Sequence, residues 1–165
     1  KSLVEKNLIQ EANNIQLKAK KLNCELILPI DVVCGKNIND TNPVHRKINE
    51  ILPEEMVLDI GYESTQFINN KIINSKMILW NGPVGAFEFK PYDKATNAIA
   101  NIIKVNAKTL NINTLAGGGD TVSAIKNTHA EDGFNYISNA GGAFLEWLEG
   151  NESPGVKSLK ENNLS

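Results

Sequence analysis

Thr114-Leu-Ala-Gly-Gly-Gly-Asp-Thr-Val-Ser-Ala-Ile-Lys126 runs a short apolar stretch into three consecutive glycines, then an aspartate, then a segment able to wind as a helix. Glycine turns readily at φ > 0 and lets a ligand approach the chain with no Cβ in the way. A helix beginning at Thr121 would aim unpaired N–H groups and its positive dipole end at the turn, which suits a phosphate. Aspartate is also a favoured N-cap, contributing about 1 kcal/mol, and such strand-to-helix turns occur where nothing binds. On this stretch alone, phosphate binding and plain capping both stay open.

The 165 residues suffice for one domain with a sizeable core. A net charge of −2 gives no drive toward nucleic acid or an anionic membrane, so neither is expected as a partner. No apolar run approaches the ~20 residues a bilayer span requires, and no basic-then-apolar leader is visible, so a cytoplasmic protein is expected. Cys24 and Cys34 lie in or beside an apolar run without metal-like spacing and read as buried, reduced thiols. His45 and His129 are far apart in polar surroundings, and neither is expected to bind metal or catalyse. The abundant Asn and Lys form no low-complexity block.

Ser2 and Glu5 make a capping-box signature before Val4, Leu8, Ala12, Ile15, Ala19 and Leu22, one face of a core-facing amphipathic helix ending near Asn23. Cys24 to Val33 reads as a strand buried on both faces, with Pro29 awkward inside it. Gly35 to Pro43 is a loop, and Val44 to Leu52 is ambiguous. Met56 to Gly61 predicts a strand, Ser64 to Asn74 a helix, and Lys76 to Gly82 another strand. A loop follows to Lys90, and Pro91 takes the first-turn position of a helix whose stripe is Ala95, Ala98, Ile99, Ile102, Ile103 and Ala107. Asn135 to Ser138 is a last strand, Asn139 to Gly142 a second Gly-containing turn, and Ala143 to Leu148 the start of a helix.

Strands alternating with helices predict an α/β fold: a Rossmann-like, three-layer parallel sheet with helices on both faces, incomplete at its N-terminal side. Ligands of such sheets bind outside the carboxyl ends of the strands. Three loops take that place: Asn81 to Glu88, Gly117 to Thr121, and Ser138 to Gly142. The sequence has no GxxxxGK[ST], no GxGxxG after a strand and no GxSxG elbow, which argues against an ordinary P-loop, a dinucleotide-binding dehydrogenase and a serine hydrolase. Mg²⁺ prefers one or two carboxylates plus phosphate oxygens and water, which Asp120 at a phosphate-binding helix start would fit.

ILWNGPVGAFEF, LAGGGDTVSAIK and YISNAGGAFLEWLEG followed by PGVKSL, in that order, together resemble phosphoglycerate kinase, in its C-terminal, nucleotide-binding half. LILPIDVV and VLDIG are similar to the family's intervening stretches. The resemblance implies that Asp120 holds the Mg²⁺ of MgADP or MgATP, and that Gly117, Gly118, Gly119 and Thr121 contact the nucleotide phosphates. It further implies that Glu88 takes the ribose hydroxyls, that Asn81, Pro83 and Ala86 line the nucleotide cleft, and that Gly141 and Gly142 offer N–H groups to the phosphoryl group in transfer. The implied reaction moves the acyl phosphate of 1,3-bisphosphoglycerate to ADP, reversibly, giving 3-phosphoglycerate and ATP in glycolysis. The full-length enzyme is expected to be a monomer.

Three positions depart from the family's pattern: Tyr62 where proline is usual, Asn139 where threonine is usual, and Ser153 where leucine is usual. The first two keep their backbone N–H and are expected to tune rather than abolish, and the third is expected to loosen the tail. Residues 1–150 are expected to be most of the nucleotide-binding domain, and 151–165 a tail returning to an N-terminal domain. That domain, which binds phosphoglycerate through arginines and a histidine, and the lysine-bearing start of the nucleotide domain are expected to lie outside this chain, which begins at Lys1 without methionine. The chain alone is therefore expected to be inactive. The alternative is a non-catalytic nucleotide-binding or structural α/β domain.

Overall fold

A computed structural model describes residues 2–139 and, beyond them, Gly142, Leu145, Glu146, Glu149, Gly150, Lys157 and Ser158. The chain divides into two compact units, each drawn from two stretches: Lys1–Lys71 with Val84–Ile99, and Ile72–Pro83 with Ala100–Ser165. The fold class is α/β, with four helices of nine residues or more and two three-stranded sheets among the described residues.

The first unit opens with a 3-10 turn and helix α1 (Ile9–Lys21). The capping box expected of Ser2 and Glu5 does not form; Ser2 Oγ instead accepts the Val57 N–H at 2.9 Å. Nor is α1 core-facing, since it has no buried residue and Leu8, Ile15 and Leu22 of its stripe are exposed. The long apolar run after it is a strand only from Asp31: β1 (Asp31–Gly35) starts just past Pro29, which has no N–H to donate to a ladder. All five residues of β1, Cys34 among them, are buried, whereas Leu26, Leu28 and Ile30 before it are exposed, as is Cys24, which was expected to be buried.

β1 is the middle of an antiparallel sheet, between β2 (Val44–Lys47) and β3 (Met56–Ile60). The ambiguous stretch thus begins as an edge strand, held by Arg46, whose guanidinium forks onto Glu55 with Nη2 2.7 Å from Oε1. Antiparallel pairing here departs from the all-parallel expectation, because alternation of elements does not report strand direction where two strands are joined by a loop alone. Val33, Leu58 and Tyr92 form a core cluster that Ile38, Met56 and Ala86 flank. Helix α2 (Tyr62–Ile73) starts where Asp31 reaches it. The Asp31 carboxylate accepts the N–H groups of Glu63 at 3.0 Å and Ser64 at 2.8 Å, and the Ser64 hydroxyl donates to it at 2.5 Å. Burial works against the charge of Asp31, but the Ser64 hydroxyl, the two N–H groups and Lys47 outweigh it and hold its pKa below the usual carboxylate value.

The second unit contains the parallel sheet that the alternation predicts, in the order β4 (Met77–Asn81), β5 (Asn113–Gly117) and β6 (Tyr136–Ser138). Helix α3 (Lys94–Asn106), which belongs to the first unit as far as Ile99 and to the second from Ala100, begins three residues beyond Pro91 rather than on it, with the Asp93 carboxylate accepting the Asn97 side-chain amide at 2.8 Å. Its predicted stripe is real: Ala95, Ile99 and Ile103 are buried, as is Ala107 just past its end. Trp80 is buried and stacks on Phe134, with centroids 6.1 Å apart. Thr114, nearly inaccessible, donates its hydroxyl proton to the Gly133 carbonyl at 2.7 Å, which ties β5 to the turn before β6.

Candidate functional site

The register of the parallel sheet sets Asn81 of β4, Gly117 of β5 and Ser138 of β6 side by side, each the last residue of its strand. The three loops singled out in the sequence all leave from that one row. The chain turns at Gly118, whose φ of +97° is open to glycine and strained for other residues. A Cβ there would also stand 3.0 Å from Asn81 Oδ1 and 3.6 Å from Thr121 Oγ1. Its N–H donates to the Ser138 carbonyl at 3.2 Å, binding the turn to the neighbouring strand.

Helix α4 (Gly119–Asn127) then begins two residues earlier than expected, with Gly118 as its N-cap and no side-chain capping bond. Asp120 is therefore not the cap. It lies in the first turn of the helix, exposed, where a negative charge is favoured by the helix dipole. The N–H groups of Gly119, Asp120 and Thr121 stand in the first turn, where a helix offers no partner of its own. Space in front of Gly119 is open, with no heavy atom within 4 Å of an added Cβ.

Thr121 is fully buried, and its hydroxyl oxygen accepts the Gly82 N–H at 2.7 Å. Its side chain thus pins the Asn81 loop to α4, a role the sequence did not suggest. Asn81 is exposed and Pro83 half-buried. Gly142, with helical backbone, has open space in front of it, while Gly141 and Trp147 lie outside the described residues, as does Ser153. Asn139 is exposed at the turn after β6, and Tyr62 is 69% exposed at the start of α2.

Ala86 and Glu88 belong to the first unit. Ala86 is half-buried against the Val33–Leu58–Tyr92 cluster and donates its N–H to the Leu58 carbonyl at 2.7 Å. Glu88 is exposed on the turn that follows. Thr96, which bonds Val84 of this segment, and Asp59, against which Gly85 packs, passed unnoticed in the sequence. A lone aspartate inside the apolar strand VLDIG was the signal available.

A family model described as phosphoglycerate kinase matches residues 1–151. The chain belongs to the phosphoglycerate kinase family. Its sequence is 43% identical over 161 residues to the phosphoglycerate kinase of Rhodospirillum centenum, and 42% identical over 162 residues to that of Xanthobacter autotrophicus. These alignments take in 96% and 97% of this chain but only 40% and 41% of the relatives, so the chain spans about two fifths of their length. The structure of phosphoglycerate kinase from Coxiella burnetii superimposes with a TM-score of 0.85 at 31% identity, covering 92% of this chain and 39% of that one. That of Pyrococcus horikoshii, at 20% identity and a TM-score of 0.76, shares the fold.

Among the described residues, no three His, Cys, Asp or Glu side chains cluster to hold a metal ion. A lone exposed carboxylate in a helix first turn fits Mg²⁺ that arrives with its phosphates, because such an ion takes one or two carboxylates and fills its other positions with phosphate oxygens and water. No helix among the described residues is long and apolar enough to cross a membrane.

Proposed function

We propose that this chain supplies the nucleotide side of a phosphoglycerate kinase, which moves the acyl phosphate of 1,3-bisphosphoglycerate to MgADP and, in reverse, phosphorylates 3-phosphoglycerate from MgATP. The observation that carries this reading is the row Asn81–Gly117–Ser138, from which a glycine turn, an exposed Asp120 and an open helix start all emerge.

In this reading the first-turn N–H groups of α4, from Gly119 on, receive the nucleotide phosphates, and Gly117 and Gly118, whose N–H is given to the Ser138 carbonyl, let them approach the turn with no Cβ in the way. Asp120 anchors Mg²⁺, which when bound neutralises phosphate charge. Thr121 acts through its backbone, since its side chain is fully buried with its hydroxyl oxygen accepting the Gly82 N–H. Asn81 and Pro83 attend the same nucleotide, Ala86 serves its base and Glu88 its ribose hydroxyls. Gly141 and Gly142 offer N–H groups to the phosphoryl group in transfer. The protein's contribution is position and fixed dipoles, without a covalent intermediate.

The chain alone is proposed to lack turnover. The resemblance places the arginines and the histidine that bind phosphoglycerate in a domain outside this chain, and Arg46, the single arginine of the sequence, is paired with Glu55. A coupled assay should give no turnover, while MgADP should bind weakly and lose most of that affinity in Asp120→Asn. Ordinary turnover by this chain, or MgADP affinity that is the same in Asp120→Asn and indifferent to Mg²⁺, would refute these assignments. In an enzyme that contains this sequence together with a phosphoglycerate-binding domain, the same substitution is expected to lower turnover strongly.

A further inference from the structure

The turn carrying Ala86 and Glu88 is fixed at three points, all within the first unit. Thr96, fully buried, accepts the Val84 N–H at 3.0 Å and returns its own hydroxyl proton to the Val84 carbonyl at 2.5 Å. Ala86 is bonded to Leu58 as described. Between these two points Gly85, at a φ of +66°, lies directly on the Asp59 carboxyl. A Cβ at Gly85 would stand 2.3 Å from Asp59 Oδ1, so no other side chain fits between them.

Asp59 is 2% exposed. Its Oδ2 accepts the Ala95 N–H at 3.1 Å near the start of α3, and its Oδ1 accepts the Ile60 N–H at 2.9 Å. One carboxyl thus abuts the turn with one oxygen and holds the next helix with the other. Among the described residues no ion pair offsets the charge of this carboxyl. Val33 opposite it on β1 is uncharged, Val84 to Ala86 bring no charge, and the charge that acts on it from before α3 is Asp93, of like sign. An asparagine, with one oxygen and one NH₂, would keep only one of the two bonds and set a donor against the other N–H, so both oxygens of the carboxyl are in use.

We propose that Asp59 is the positioning residue of the Gly85–Glu88 turn, setting where Glu88 stands and so acting on ribose binding through it. The consequence for ribose rests on the nucleotide role proposed above for Glu88; the hold on the turn does not. Burial, reinforced by Asp93 and opposed by the Ala95 and Ile60 N–H groups, pushes the pKa of Asp59 up to about 6. Its charge, and with it the strength of both N–H bonds, therefore changes near that pH.

Amide and carboxyl NMR spectra of the 165-residue chain between pH 5 and 7.5 test this. The Asp59 carboxyl carbon and the amides of Gly85, Ala86 and Ala95 are expected to share one inflection near pH 6. Asp59→Asn, which keeps one acceptor oxygen, as the protonated acid does, and removes the proton equilibrium, should abolish it at the three amides. Amides that move without the Asp59 carboxyl, or an inflection that survives the substitution, would overturn the proposal. Adenosine, which has the ribose and no titrating phosphate, serves as the binding probe. Its affinity should change several-fold across this range in the native chain and stay flat in Asp59→Asn. If adenosine and MgADP both leave the Glu88 signal unmoved while the shared inflection is present, the hold of Asp59 on the turn stands and the ribose assignment of Glu88 falls.

Discussion

At Thr121 a single hydroxyl decides whether two loops stay in place. Thr121→Val would keep the shape and leave the Gly82 N–H without its acceptor, which is expected to cost about 1–3 kcal/mol. Thr121→Ser should retain most of that stability, and urea unfolding of the three proteins provides the comparison. Asp59 leads to a second prediction, in pH. Its folded pKa of about 6 lies above the usual 3.8, so between these values the folded chain holds a proton that the unfolded chain has lost. Its contribution to stability is therefore greatest in acid and is lost as pH rises through about 6. Relative to native, Asp59→Asn should gain on the order of 1–2 kcal/mol between pH 4 and 7, one pKa unit being ~1.4 kcal/mol and solvent reducing the effect. Asp31, with a lowered pKa, has the opposite sign and loses its contribution only as pH falls below the usual carboxylate value, outside that window. Denaturant midpoints measured across pH for both chains would show a flat difference if Asp59 does not titrate in this way.

Among the elements, α1 and α3 have the same length and similar amphipathic spacing, yet their neighbours differ completely. α1 buries nothing, whereas Ile103 of α3 is 1% exposed. Ile15→Gln is expected to change stability by no more than about 0.5 kcal/mol, and Ile103→Ala to cost about 2–5 kcal/mol. Comparable losses at the two sites in thermal or urea unfolding would contradict this. The same contrast explains what was legible in the sequence. Periodicity revealed both helices, but not which stripe has something to pack against. The glycine turn was legible because backbone chemistry is local, and its helix started early because Gly118 can cap without a side chain. β2 was not legible, because Val-His-Arg-Lys has no alternation and is held by β1 and Glu55 instead. The row Asn81–Gly117–Ser138 could be inferred from strand ends alone. The clamp of Asp59 and Thr96 could not, since it joins residues brought together by β3 and α3 from distant parts of the chain.

For the whole molecule, the division into two units was invisible in the sequence because neither unit is one continuous stretch. The first needs Val84–Ile99, which brings it Tyr92, Ala95, Thr96 and Ile99, all buried. A chain truncated after Pro83 is therefore expected to lack a cooperative unfolding transition that the 165-residue chain possesses, as calorimetry would show. Interleaving of this kind also bears on inheritance. The boundaries fall at Lys71/Ile72, Pro83/Val84 and Ile99/Ala100, the first inside α2 and the last inside α3. A genetic exchange that transplanted one unit intact would need crossovers at all three, two of them splitting a helix between parents. A chimaera made with a single junction between residues 72 and 99 would instead join parental halves inside at least one core. Recombination through this region should thus preserve the chain in large blocks, and successful single-junction hybrids should come only from parents whose buried residues already match.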